Sequence, residues 1–96
     1  MKKAKVAIVT GAGQGIGLEI ARKLSNQGSH VILNDLEKSL TQEAVATLSR
    51  QGNGKVIGCS GDAADESVIQ EMIELAINNF GSVDQVVANA GITLFG

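Results

Sequence analysis

A cluster of glycines near the amino end of the chain is the feature best suited to chemistry. Residues 10–17 read TGAGQGIG and directly follow an apolar run at residues 5–10. We expect Gly11 to permit a tight turn, Gly15 to let the main chain approach a ligand, and Gly17 to let a helix pack closely on the strand. The N–H groups and dipole of that helix would then bind phosphate groups without a basic side chain.

An acidic residue follows the glycines at a spacing that fits a sugar. Asp35 directly follows the second apolar run and lies 18 residues beyond Gly17, close to the spacing of about 20 expected for a group that binds a ribose. A carboxylate there accepts hydrogen bonds from both hydroxyls of a ribose and repels a phosphate on the 2′ oxygen. Nearby Lys38 weakens this repulsion without reversing it. The alternative interpretation of Asp35 is a turn or cap aspartate before the next helix.

Four short apolar runs predict the strands that would position these residues. They occupy residues 5–10, 31–34, 55–59 and 85–88. Continuous apolar runs of this length are typical of strands buried on both faces of a parallel sheet.

Helical periodicity fills the three segments between the strands. The first segment stops at Gly28, the second has Ser39 as a candidate cap and Gly52 as its stop, and the third begins with Asp65 as N-cap and ends at Gly81. The apolar residues predicted to share one face of the third helix are Ile69, Met72, Ile73, Ala76 and Phe80.

The alternation of strand and helix predicts an α/β fold. Right-handed crossovers and short connections favour a Rossmann-like, doubly wound parallel sheet, here half a fold of four strands in the order 3-2-1-4. The first two helices would cover one face of the sheet and the third helix the other. Ligands of such sheets bind at the carboxyl ends of the strands, where the strand order reverses.

The glycine spacing is TGxxxGxG rather than GxGxxG, since Ile16 and Leu18 occupy the positions where GxGxxG needs glycine. In this the chain resembles the short-chain dehydrogenase/reductase family. The resemblance implies a dinucleotide site, with NAD preferred over NADP because of Asp35. It places Gly11, Gly13, Gln14, Gly15 and Ile16 around the diphosphate.

Two further stretches match the same family. Asp62 and Ala63 resemble the position where a carboxylate meets the adenine amino group and the next N–H meets a ring nitrogen; helix capping is the alternative for Asp62. Asn89, Ala90 and Gly91 resemble the family's NNAG near the nicotinamide-side ribose, with Ala88 replacing the first asparagine. The alternative for Asn89 is a turn at the end of a strand.

The resemblance covers only the first half of the family's fold. In complete members a tyrosine acts as general acid and base, a lysine lowers its pKa, a serine orients the substrate, and all three follow strand 4. This sequence contains zero tyrosines. We therefore expect the NAD-binding portion of an oxidoreductase, with no catalytic residue assigned and a small-molecule substrate only in a complete protein.

Two alternatives stay open at this stage. One is a non-catalytic nucleotide-binding or self-assembling module. The other is a Rossmann-type methyltransferase, which the sequence disfavours because Val9 and Thr10 stand where those enzymes carry an acidic residue. Self-association through strand 4 or the tail is also predicted, because an apolar open edge recruits another chain. The residues concerned are Val86, Val87, Ile92, Leu94 and Phe95.

Composition excludes several classes. The 96 residues predict one domain, 1–96, and a net charge of −2 with 44% hydrophobic residues argues against nucleic-acid binding and against disorder. No apolar stretch approaches a membrane span, so a cytoplasmic location is predicted. Cys59 is the single cysteine and is predicted to be a small buried hydrophobe, while His30 is predicted to face solvent. No metal site is expected.

Overall fold

The computed structural model describes residues 4–89, which form four strands and three helices. In chain order the elements are β1 Val6–Thr10, α1 Gly15–Asn26, β2 His30–Asp35, α2 Lys38–Gln51, β3 Val56–Ser60, α3 Glu66–Phe80 and β4 Gln85–Ala88. The strands form one parallel sheet in the order β3-β2-β1-β4. The predicted α/β half fold and its strand order are confirmed.

Strand β1 lies at the centre of the sheet and all five of its residues are buried. It pairs with β2 on one side, where Ile8 is opposite Ile32, and with β4 on the other, where Ile8 is opposite Val86. A strand covered on both faces and paired at both edges favours apolar side chains on both faces, and Thr10 at the carboxyl end is the one polar residue of β1. This explains why its sequence shows no polar alternation.

Alternate residues of the central strands contribute to two separate cores. One core joins Val9, Val31 and Leu33 to α1 and α2, through Ala21, Ala44 and Leu48. The other joins Val6, Ile8 and Ile32 to α3, through Met72 and Ala76. The prediction that two helices cover one face and the third covers the opposite face is therefore confirmed.

Helix α2 begins earlier than the sequence predicted. Its N-cap is Glu37 and its first residue is Lys38, so Ser39 lies inside the first turn and the prediction of Ser39 as cap is wrong. Asp35 fixes this start, because its Oδ1 accepts a hydrogen bond from Glu37 N at 3.1 Å. Thr41 Oγ1 donates to the Glu37 carbonyl at 2.9 Å and tightens the same turn.

Helix α3 begins and ends as predicted. Asp65 is its N-cap and accepts hydrogen bonds from the N–H and the hydroxyl of Ser67, which lower the pKa of Asp65. At the other end Gly81 has a φ of 87°, the left-handed conformation in which glycine is favoured. The capping bonds of Asp65 and the left-handed conformation of Gly81 thus set the two ends of α3, the helix that connects β3 to β4.

The sheet covers only part of the apolar face of α3. Met72 and Ala76 are buried, but Ile69, Ile73 and Ile77 are 39%, 43% and 47% exposed. Val86 of β4 is 60% exposed beside them. We call these four residues the α3–β4 surface. It adjoins a cavity of about 440 Å³ that Ile8, Met72 and Ala88 also line.

The single histidine and cysteine have different environments. His30 does not simply face solvent as predicted. Its ring stacks on that of Phe80 with the ring centroids 4.4 Å apart, and its Nδ1 accepts a hydrogen bond from Lys55 N. Cys59 is buried, as predicted. Burial raises the pKa of its thiol, and the Glu71 carboxylate raises it further. Within residues 4–89, no helix is long and apolar enough to cross a membrane.

Replacing Leu48 with alanine tests the core between the sheet and α2. Leu48 is 1% exposed, so Leu48→Ala should lower the free energy of unfolding by about 2–5 kcal/mol. Leu36→Ala is the matched control, since Leu36 is 70% exposed and its loss should cost less than about 0.5 kcal/mol. Urea denaturation measures both values, and equal losses in the two variants would contradict this description of the core.

Candidate functional site

The glycine turn joins β1 to α1 at the carboxyl edge of the sheet. Gly11 and Gly15 have φ values of 62° and 65°, a conformation that other residues rarely adopt. Gly17 is required for a different reason, because a Cβ at this position would overlap the carbonyl oxygen of Gly11. The glycine turn and the first turn of α1 are therefore too close to leave room for a side chain at position 17.

The start of α1 is left open to a ligand. Its N-cap, Gln14, makes no side-chain capping hydrogen bond, and no acidic residue lies in its first turn. Nothing lies within 4 Å of the position that a Cβ of Gly15 would occupy. Ile16 is 73% exposed and Gln14 is exposed beside it. This end of the helix can accept an anion on its N–H groups.

Asp35 lies against the glycine turn. Its Oδ2 accepts a hydrogen bond from Gly13 N at 2.9 Å, and its Oδ1 accepts the bond from Glu37 N. The second bond is the turn role that the alternative interpretation gave to Asp35. It does not exclude a ligand, because each carboxylate oxygen can accept more than one hydrogen bond. A Cβ at Gly13 would lie 2.8 Å from the Asp35 Cγ, so no side chain fits between the two.

The segment after β3 presents the two residues predicted to meet a base. Asp62 is exposed, and its Oδ1 accepts a hydrogen bond from Ala64 N at 2.8 Å. It does not cap α3, since Asp65 does, so the alternative interpretation of Asp62 as the helix cap is wrong. Ala63 is half-buried at the mouth of the cavity beside α3. Gly61 N donates to the Asp35 carbonyl at 3.0 Å, which brings this segment to the end of β2.

Asn89 approaches the glycine turn from the far side. Its Nδ2 donates to the Gly11 carbonyl at 3.1 Å, although the two residues are 78 positions apart. The end of β4 is thereby attached to the end of β1. The predicted residues Ala90 and Gly91 lie outside the described residues.

Two residues near the site were not singled out from the sequence. Asn34 is buried and its amide donates to the carbonyls of Cys59 and Gly61. Leu36, next to Asp35, leaves a large apolar side chain exposed at the same edge. The sequence did offer a signal for Asn34, because it is a polar residue at the end of an apolar run. For residues 4–89, no group of three or more His, Cys, Asp or Glu side chains is placed to hold a metal ion.

Comparison with known proteins agrees with this geometry. Residues 5–96 match the sequence model of the family described as short chain dehydrogenase. The chain belongs to this family. A short-chain dehydrogenase/reductase from Armillaria gallica is 38% identical over 96 residues, and versicolorin reductase from Emericella nidulans is 36% identical over 92 residues. These alignments cover 98% and 96% of this chain.

Solved structures of the family superimpose closely on the chain. L-sorbose reductase from Gluconobacter frateurii, in complex with NADPH and L-sorbose, has a TM-score of 0.86 and 31% identity over 93% of this chain. A family member from Burkholderia phymatum in complex with NAD has a TM-score of 0.81 and 32% identity over 88% of this chain.

The chain spans about a third of the length of these relatives. The alignments cover 36% and 35% of the two curated proteins, and 34% and 30% of the two solved chains.

Replacing Gly17 with alanine tests the close contact of the turn with α1. Alanine ordinarily stabilises a helix by about 1 kcal/mol relative to glycine. Here the added methyl group would collide with the Gly11 carbonyl, so Gly17→Ala should instead lower the free energy of unfolding by about 1–3 kcal/mol. Lys23→Ala, an exposed position in the same helix, is the control. A stabilised Gly17→Ala variant in urea denaturation would show that the contact is looser than described.

Proposed function

We propose that this chain binds NAD at the carboxyl edge of its sheet, as the cofactor-binding part of an oxidoreductase of the short-chain dehydrogenase family. The hydrogen bond from Gly13 N to Asp35 Oδ2, at 2.9 Å, carries the proposal. It joins the turn suited to a diphosphate to the carboxylate suited to a ribose. A dinucleotide presents these two groups next to each other.

Each part of the cofactor has residues that fit it. The open start of α1, at Gly15 and Ile16, receives the diphosphate, and Asp35 accepts hydrogen bonds from the adenosine ribose. Asp62 and Ala63 meet the adenine, and Asn89 lies towards the nicotinamide-side ribose. The nicotinamide, when bound, supplies hydride chemistry, while the residues of this chain bind and orient the cofactor.

Charge favours NAD over NADP. The related solved structures contain both cofactors, NADPH in one and NAD in the other. In this chain a 2′-phosphate would meet the Asp35 carboxylate, which Gly13 and Glu37 hold in place through their N–H groups. The carboxylate cannot turn away without losing both hydrogen bonds. The 2′-phosphate is therefore repelled.

No residue of this chain is proposed as catalytic. The family resemblance assigns proton transfer to a tyrosine with a lysine and a serine, and the sequence has zero tyrosines. The substrates that the relatives are named for belong to those proteins. The reaction proposed for a complete protein is hydride transfer between the cofactor and a carbonyl or alcohol. A cytoplasmic location stays a prediction.

Asp35→Ala tests the cofactor preference. Titration calorimetry should show that the wild type binds NAD more tightly than NADP, and that Asp35→Ala weakens NAD binding by about tenfold, since a hydrogen bond to a charged group is lost. The preference for NAD should disappear at the same time. Glu43→Ala removes an exposed carboxylate of α2 and serves as control. An unchanged NAD affinity in Asp35→Ala would refute the ribose assignment.

Gly15→Asn tests the diphosphate position. Asparagine tolerates positive φ better than most residues, so the turn should survive while the side chain fills the open space at the start of α1. NAD binding should fall at least tenfold with little change in melting temperature. S-adenosylmethionine is the comparison ligand. Tight binding of this compound with no binding of NAD would favour the methyltransferase alternative.

We further infer that the chain self-associates through the α3–β4 surface and the edge of β4 that pairs with no other strand among residues 4–89. Ile69, Ile73 and Val86 line the same largely apolar cavity, and Ile77 is exposed one helical turn beyond Ile73. Apolar area of this kind is removed from water when two copies meet. This surface also supports the alternative of a self-assembling module.

Sedimentation measures that association. At tens of micromolar protein without ligand, we expect a dimer or larger species, and Val86→Lys should shift the mass towards the monomer because it places a charge in the contact. Leu36→Lys adds the same charge at another exposed apolar position and should leave the mass unchanged. A monomeric wild type would count against self-association while leaving the NAD proposal intact.

A further inference from the structure

Asn34 is a buried polar side chain in a part of the sheet that is otherwise apolar. It is 1% exposed and lies at the carboxyl end of β2, directly before Asp35. Alternation along the strand places it on the same face as Ile32, which packs in the α3 core. A buried amide costs free energy unless hydrogen bonds replace those lost to water. Its partners therefore indicate what it does.

The partners of Asn34 lie in the segment that leads from β3 to α3. Its Nδ2 donates to the Cys59 carbonyl at 2.9 Å and to the Gly61 carbonyl at 3.1 Å. Both N–H bonds of the amide are thus used, one on each side of Ser60. The next residue in the chain after Gly61 is Asp62.

Backbone contacts act together with this amide. Gly61 N donates to the Asp35 carbonyl at 3.0 Å, so Gly61 is attached to the end of β2 through both its N–H and its carbonyl. Gly61 also lies close to α3, since a Cβ added there would be 2.8 Å from a methyl carbon of Val68. The position at which the chain leaves β3 is therefore fixed from two sides.

An apolar side chain could fill the space of Asn34 but could not hold the carbonyls. Asp62 and Ala63 follow Gly61 without an intervening element, so the position of Gly61 sets theirs. We propose that Asn34 is a positioning residue that holds Asp62 and Ala63 where they can read the adenine base. This inference rests on the proposed function, in which those two residues meet adenine.

Binding of ADP and IDP measures base recognition directly. The two nucleotides share the ribose and diphosphate, but IDP has a carbonyl oxygen in place of the amino group and a hydrogen on the ring nitrogen. Neither the Asp62 carboxylate nor the Ala63 N–H then has its partner. The wild type should bind ADP about tenfold more tightly than IDP, as expected for a hydrogen bond to a charged group.

Asn34→Ala should reduce this preference to less than about twofold, and Asp62→Ala should do the same. The double variant should show no further loss, because both changes remove one interaction. Ser25→Ala is the matched control, since Ser25 is a fully buried residue whose hydroxyl also donates to a loop carbonyl, that of Gly54. It should lose stability while keeping the wild-type preference for ADP.

The outcomes separate this inference from the proposed function. A wild type that binds neither nucleotide, or binds both equally, overturns the base assignment and this inference together. A wild type that prefers ADP, with an Asn34→Ala variant that keeps the preference, overturns the role of Asn34 alone. If Ser25→Ala also loses the preference for ADP over IDP, the effect of Asn34→Ala is explained by general destabilisation. That result also overturns the proposed role of Asn34. If Asn34→Ala does not fold, Asn34→Ser, which leaves a smaller gap, gives the same readout.

Discussion

The carbonyl oxygen of Gly11 is the point on which this structure depends. Helix α1 packs so closely against it that position 17 has no room for a side chain. The Asn89 amide donates a hydrogen bond to the same oxygen. The end of β1, the start of α1 and the end of β4 therefore meet at one atom. A shift of that atom would therefore affect both the start of α1 and the end of β4.

The end of β2 is a second fixed point, and it uses two consecutive residues for two purposes. Successive side chains of a strand point to opposite faces. Asn34 therefore reaches the segment that enters α3, while Asp35 reaches the glycine turn before α1. The two connections lie on opposite faces of the sheet. One short strand end thus aligns the regions proposed to bind the adenine, the ribose and the diphosphate.

The sequence was sufficient for the architecture because the signals were local and strong. Apolar runs predicted the four strands, glycine spacing predicted the turn, and Asp65 was correctly predicted as a helix cap. The strand order followed from general rules for crossovers. Asp35 could be proposed as a site residue because a carboxylate directly after an apolar strand, at this distance from the glycines, is easily recognised.

The remaining features depend on contacts between distant parts of the chain. Ser39 has the right chemistry for a cap, but Asp35 sets the helix start earlier by bonding to Glu37 N. The stack of His30 on Phe80 joins residues that no local pattern connects. The same holds for Asn34, whose partners lie on another strand. Periodicity also could not show that the sheet leaves Ile73 uncovered.

The pairing of β1 with β4 has a consequence for translation. Val6 N donates a hydrogen bond to the Asp84 carboxylate, the Asn89 amide donates one to the Gly11 carbonyl, and each bond joins residues 78 positions apart. As the chain leaves the ribosome, β1, β2 and β3 can assemble well before β4 is complete. Until then β1 is an edge strand with an apolar, unpaired border, which favours contact with other nascent chains. Pairing with the four residues of β4 then converts β1 into an interior strand.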